Sequence, residues 1–137
     1  RNPAFRTALR ARLARLSAPA LLGLALLAGP AAAQITSESE TNDRESQADG
    51  PIGSGVRVSG GMSSSRDIDW FYFDVPAAGP ITVSLGHGSG ADFDWDLYRG
   101  SGSAIASGRS GSSPDSGTYH STVTGRHFLN TPSFRGS

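Results

Sequence analysis

The stretch that decides the fold runs from residue 69 to residue 75, Asp69-Trp70-Phe71-Tyr72-Phe73-Asp74-Val75. Phe71, Phe73 and Val75 fall on one side of it, and Trp70, Tyr72 and Asp74 on the other. Successive residues of a β-strand point to opposite faces, so this period of two sends one row of side chains into a core and the other toward water. The pattern recurs outward in both directions. Val56 and Val58 flank Arg57, and Ile81, Val83 and Leu85 alternate with Thr82 and Ser84. Phe93, Trp95 and Leu97 alternate with Asp92, Asp94 and Asp96, and Tyr119, Ser121 and Val123 with His120 and Thr122. Ala77-Ala-Gly-Pro80, Gly86-His-Gly-Ser-Gly90 and Gly100-Ser-Gly102 supply turns between the runs. No stretch after residue 34 keeps a helical period. The expectation is an all-β antiparallel sandwich of about seven or eight short strands over residues 51–137.

The 137 residues fit one domain of ordinary size. Twelve basic and twelve acidic residues give a formal charge of zero, but the charges are segregated. Arg1, Arg6, Arg10, Arg12 and Arg15 precede residue 34, whereas every acid lies between Glu38 and Asp115. The body of the chain is therefore acidic. It offers no basic stripe to release counterions from phosphates, which argues against a nucleic-acid partner. With no cysteine, a disulfide scaffold, a Cys-ligated zinc and a cysteine nucleophile are excluded.

Residues 1–33 read as a secretory signal peptide: a basic stretch to Arg15, an apolar helical run from Ala18 to Ala28, and the small-residue tail Ala31-Ala-Ala33 before Gln34. The apolar run is broken by Gly29-Pro30 and is too short for a bilayer core of about 30 Å. The expectation is cleavage between Ala33 and Gln34, a secreted extracellular or periplasmic product, and no membrane segment thereafter.

Glu38-Ser-Glu40-Thr-Asn42-Asp43, within an acidic segment at 34–50, is the most informative polar cluster. In an extended chain Glu38, Glu40 and Asn42 point the same way and could converge on one hard cation. Calcium is the natural candidate, because it takes six to eight oxygens in irregular geometry. Asp67 and Asp69, just before Trp70, could complete the cage. On the residues alone, a solvated acidic linker is the commoner outcome for such a run. Asp92, Asp94 and Asp96 read as a solvated strand face, since Phe93, Trp95 and Leu97 already account for their spacing. His87, His120 and His127 are scattered, and no Gly-x-Ser-x-Gly elbow or phosphate-binding loop is present. The chain carries no recognisable catalytic constellation.

The order of the acidic opening, Gly50-Pro51-Ile52, Gly55-Val-Arg-Val-Ser-Gly60, Asp67-Ile-Asp-Trp-Phe-Tyr-Phe-Asp-Val75, Phe93-Asp-Trp-Asp-Leu-Tyr98 and Gly117-Thr-Tyr119 resembles the bacterial pre-peptidase C-terminal domain. Within that family it is most similar to the collagen-binding domains of secreted collagenases. The resemblance implies a jelly-roll-like antiparallel β-sandwich without catalytic machinery, appended to secreted peptidases and other exoenzymes. It implies calcium ligands at Glu38, Glu40, Asn42, Asp43 and Asp69. Another acidic position of the family falls on Arg66, with Asp67 next door as a substitute. The family's aromatic ligand face falls on Ser107, Pro132 and Phe134, of which only Phe134 is aromatic. The family's pattern continues into a closing strand, so the resemblance also implies a sandwich that lacks its last strand, apparently truncated at its C-terminus.

The functional expectation is a secreted, calcium-stabilised accessory or binding domain that targets an exoenzyme or assists its secretion. Its partners would be an extracellular protein or polysaccharide matrix, with a peptidase domain in the full-length protein. Two alternatives stand beside it. One is the N-terminal fragment of a secreted hydrolase whose catalytic domain lies beyond residue 137. The other is a carbohydrate-binding module that stacks sugars on Trp70, Trp95 or Tyr98.

Overall fold

A computed structural model describes the backbone of residues 5–10 and residues 33–135, with side chains from 33 to 132. Among the described residues nine strands follow one another: β1 Phe5–Arg10, β2 Arg57–Gly60, β3 Ile68–Val75, β4 Gly79–Gly86, β5 Asp92–Phe93, β6 Trp95–Tyr98, β7 Ala106–Gly108, β8 Asp115–Ser121 and β9 Gly125–Arg135. One 3-10 turn spans Glu45–Gln47. The strands form two sheets. One has the order β2-β1-β4-β8, the other β3-β9-β6-β7 with β5 also paired to β9. Every paired neighbour is antiparallel. The all-β expectation holds, and eight of the nine strands lie after residue 34.

The alternation read from the sequence decides which faces meet. Phe71, Phe73 and Val75 of β3, Ile81, Val83 and Leu85 of β4, and Phe93, Trp95 and Leu97 of β5 and β6 are all buried. Leu129 of β9, Val58 of β2, Ile52 and Met62 complete the core. Trp95 lies against two glycines of neighbouring strands. A Cβ on Gly117 would sit 2.6 Å from its Cζ2, and one on Gly108 would overlap the indole. Bare backbone at both positions is what lets the largest core side chain lie flat between the sheets. Ser121 and His127 are buried polar exceptions beside the β8–β9 turn. His127 stacks on Phe73, and its Nδ1 lies 3.0 Å from the Gly125 carbonyl and its Nε2 3.3 Å from Ser121 Oγ.

The basic stretch carries one strand that its composition does not announce. Phe5–Arg10 is the second strand of the first sheet, paired on both sides. The apolar run expected as the signal-peptide helix lies outside the described residues. Among the described residues no helix is long and apolar enough to cross a membrane.

Candidate metal centre

The acidic segment after Ala33 runs across the end of the sandwich and is tied to both sheets. Ile35 donates to the Pro51 carbonyl (3.2 Å), Ser59 of β2 donates to Thr36 (3.0 Å) and Glu38 donates back to Ser59 (3.0 Å). Further on, Trp70 of β3 donates to the Asn42 carbonyl (2.9 Å), while Asp49 and β3 exchange bonds with Trp70 and Tyr72 (2.8 Å each). The residues between these two attachments are thereby held over the start of β3. The carboxylates of the segment consequently meet those at 67 and 69.

Two triads result. Glu38, Glu40 and Asp69 each offer an oxygen within 4.8 Å of the others, and so do Glu40, Asp43 and Asp67. Glu40 belongs to both. Glu38 Oε1 accepts a bond from the Gly61 amide (2.5 Å), which fixes the carboxylate against β2. A Cβ on Gly60 would intrude to 2.7 Å of the same oxygen, so this close approach requires glycine there. The Ser63 amide bonds Asp67 Oδ2 and holds that side chain inward.

Burial makes the cluster costly without a cation. Asp69 is fully buried, and neither of its oxygens receives a hydrogen bond. Asn42 is also fully buried, with both amide atoms unpartnered, and Glu38 Oε2 is a further orphan. A buried polar atom without a partner costs on the order of 1–3 kcal/mol. Burial first, then the charges of Glu38 and Asp67, pushes the Asp69 carboxyl up to about 9. Glu38 and Glu40 are shifted upward by the same causes, desolvation foremost. The donor set is carboxylate and amide oxygen with no nitrogen or sulfur base, which suits a hard cation such as calcium and not zinc.

The structure brings the carboxylates of Glu38, Glu40, Asp43, Asp67 and Asp69 into the two triads, and Asn42 lies buried in the same segment. Arg66, where the resemblance set another acidic position, is exposed, whereas its neighbour Asp67 is buried and joins a triad. The complete burial of Asn42 was not foreseeable from an exposed-looking run.

The other polar candidates fall elsewhere. Asp94 and Asp96 are not a freely solvated face. Arg109 lies across them, 3.6 Å from Asp94 Oδ2 and 2.5 Å from Asp96 Oδ1. Burial nevertheless pushes the Asp94 carboxyl upward, with Arg109 opposing. No histidine enters either acidic triad. Trp95 is buried and unavailable for stacking, while Trp70 and Tyr98 lie ring to ring at 5.0 Å on the outer face of the second sheet. Arg126 covers the Tyr72 ring at 4.0 Å on that face. Ser107 is exposed on β7 and Pro132 half-buried on β9, while the Phe134 side chain lies outside the described residues.

A comparison with protein families matches residues 67–130 to the bacterial pre-peptidase C-terminal domain. The match begins at Asp67 and runs through β3 to Asn130 of β9, so it takes in most of the core residues but not Ile52, Val58 of β2 or Met62. The domain type is non-catalytic and occurs together with peptidase domains.

Proposed function

We propose, from the premise that residues 67–130 form a bacterial pre-peptidase C-terminal domain, that the chain is a secreted accessory module stabilised by calcium and serving an exoenzyme. The observation that carries the metal reading is the complete burial of Asp69 and Asn42 with every side-chain oxygen unpartnered. Glu38, Glu40 and Asp69 would hold a cation from one side, and Glu40, Asp43 and Asp67 offer a second grouping, with the Asn42 amide in the same segment. A bound Ca²⁺ supplies positive charge to carboxylates that otherwise repel one another. The residues' own part is mechanical and electrostatic. They join the segment at 38–43, which is bonded to β2 through Ser59, to the start of β3, so the two attachments of the acidic segment would be locked by one cluster.

The full chain, melted with millimolar calcium and again with excess chelator, tests this. A clear rise in midpoint with calcium is expected. An identical midpoint in both would remove the metal from the account. The export reading is tested separately: the secreted product should begin at Gln34 by mass. The accessory role rests on the domain type, with a peptidase the expected partner in the full-length protein. A sugar-stacking role is favoured only by the Trp70–Tyr98 pair on the outer face, and retention on a polysaccharide column would test it.

A further inference from the structure

The first sheet has β1 at an interior position, and β1 comes from the part of the sequence read as an export signal. It pairs with β2 through Phe5↔Gly60, Arg6↔Ser59, Thr7↔Val58 and Ala8↔Arg57. With β4 it pairs from Arg6↔Gly86 to Arg10↔Thr82. β2 and β4 do not pair with each other: they stand two strand spacings apart, roughly 10 Å. The gap is therefore one strand wide and lined on both sides by backbone donors and acceptors. Its walls carry core residues, Val58 on β2 and Val83 and Leu85 on β4. On its far flank, among the described residues, β2 has only the isolated parallel bridge Ser37↔Ser59. An empty gap would expose two sheet edges and leave a four-residue strand nearly unsupported.

We propose that the gap between β2 and β4 is a strand-acceptor site, and that its occupant in the uncleaved chain is Phe5–Arg10. The occupant enters at the Gly60–Gly86 end and runs antiparallel to both walls. Main-chain hydrogen bonds on two sides, not side-chain identity, hold it, as in other cases of strand addition. A segment serving as this strand is unavailable to export machinery at the same moment. Folding of the uncleaved chain and its export are therefore mutually exclusive, and removal of the leader opens the acceptor. The strand assignment stands on the pairing alone. Only its link to export rests on the proposed leader.

Hydrogen exchange on the full chain tests the pairing. Amides of residues 5–10 should be protected together with those of 57–60 and 82–86. Ala8→Pro, which removes one ladder donor, should accelerate exchange at all three segments by about tenfold or more while 69–75 and 125–131 stay protected. Free exchange of residues 5–10 in the native chain would overturn the proposal. So would an Ala8→Pro protein that keeps full protection at 57–60 and 82–86. Should that variant fail to fold, the full chain with a protease site placed within 11–32 decides. After cutting, the N-terminal fragment should stay bound and leave only on unfolding. Its departure with unchanged exchange in β2 and β4 would refute the acceptor. The mass of the exported protein is a separate readout: a product retaining residue 5 would refute the leader and leave the acceptor intact.

Discussion

The carboxylates of Glu38 and Asp69 face each other within 4.8 Å, one carried by the acidic segment and one by β3, and neither Asp69 oxygen has a donor. Like charges at this distance in a buried setting cannot both be ionised without a cation between them. Without metal the pair is a proton-holding site; in the proposed calcium-bound state it would serve as a ligand pair.

Asp69→Asn separates these two states. The amide keeps the shape and removes the charge, so the calcium-dependent rise in midpoint should vanish. In chelator at pH 8 the variant should melt at or above the unmutated protein, because the buried repulsion is gone. Calcium at about 100 times its Kd stabilises a folded protein by about 2.7 kcal/mol, and thermal melting in both media would read the loss of that gain. A retained calcium response would place the ion elsewhere.

The metal-free protein should lose stability as pH rises. Asp69 has an ordinary value of 3.8 and a folded value of about 9, so between these limits the native state keeps a proton that the unfolded chain has released. Stability from this group is full below about pH 4 and declines across the window toward pH 9. The upward shifts of Glu38 and Glu40 act in the same direction. The gain from calcium should therefore grow from pH 5 to pH 8, with protons released on binding. Melting curves at several pH values, with calcium and with chelator, check both slopes.

Phe71→Ala should cost about 3–5 kcal/mol. The ring is fully buried and sits in the middle of β3, opposite Leu129 of β9. Chemical denaturation in chelator would measure it, and a cost below about 1 kcal/mol would contradict the core assigned here.

Arg109→Met should lower stability by about 0.5–1 kcal/mol at low salt and by less at high salt, since the guanidinium is half exposed. Burial shifts the Asp94 carboxyl upward, so the loss should be larger at pH 8, where that group is charged, than at lower pH. Urea denaturation at two salt concentrations and two pH values tests this.

The fold was legible because its information is local. Phe71, Phe73 and Val75, or Ile81, Val83 and Leu85, announce their buried face by spacing alone, and the structure buries each of them. The acidic cluster was legible in composition, since Glu38, Glu40 and Asp43 stand so close in sequence. What spacing could not convey is which distant backbone supports them. The Gly61 amide on Glu38, and the hydrogen bond from Trp70 that anchors the buried Asn42, depend on how the segment crosses from β2 to β3. Arg109 was invisible as the cap on Asp94 and Asp96 for the same reason, as it reaches them from the turn after β7. Phe5–Arg10 escaped because leader composition masks a strand whose partners are all supplied by other segments.

The crossing segment also has a mechanical meaning. A pull applied at Gln34 is met first by the Ile35 bond to Pro51 and then at Thr36 and Glu38 by bonds to Ser59, beside the parallel bridge at Ser37, a geometry that loads its bonds in shear. Only beyond the carboxylates does tension reach the Asn42–Trp70 bond and β3. The acidic cluster sits between these two anchors like the pin of a clasp. With the proposed cation bound in it, force on the front of the domain would spread into both sheets at once; with the cation withdrawn, the anchors would yield one after the other.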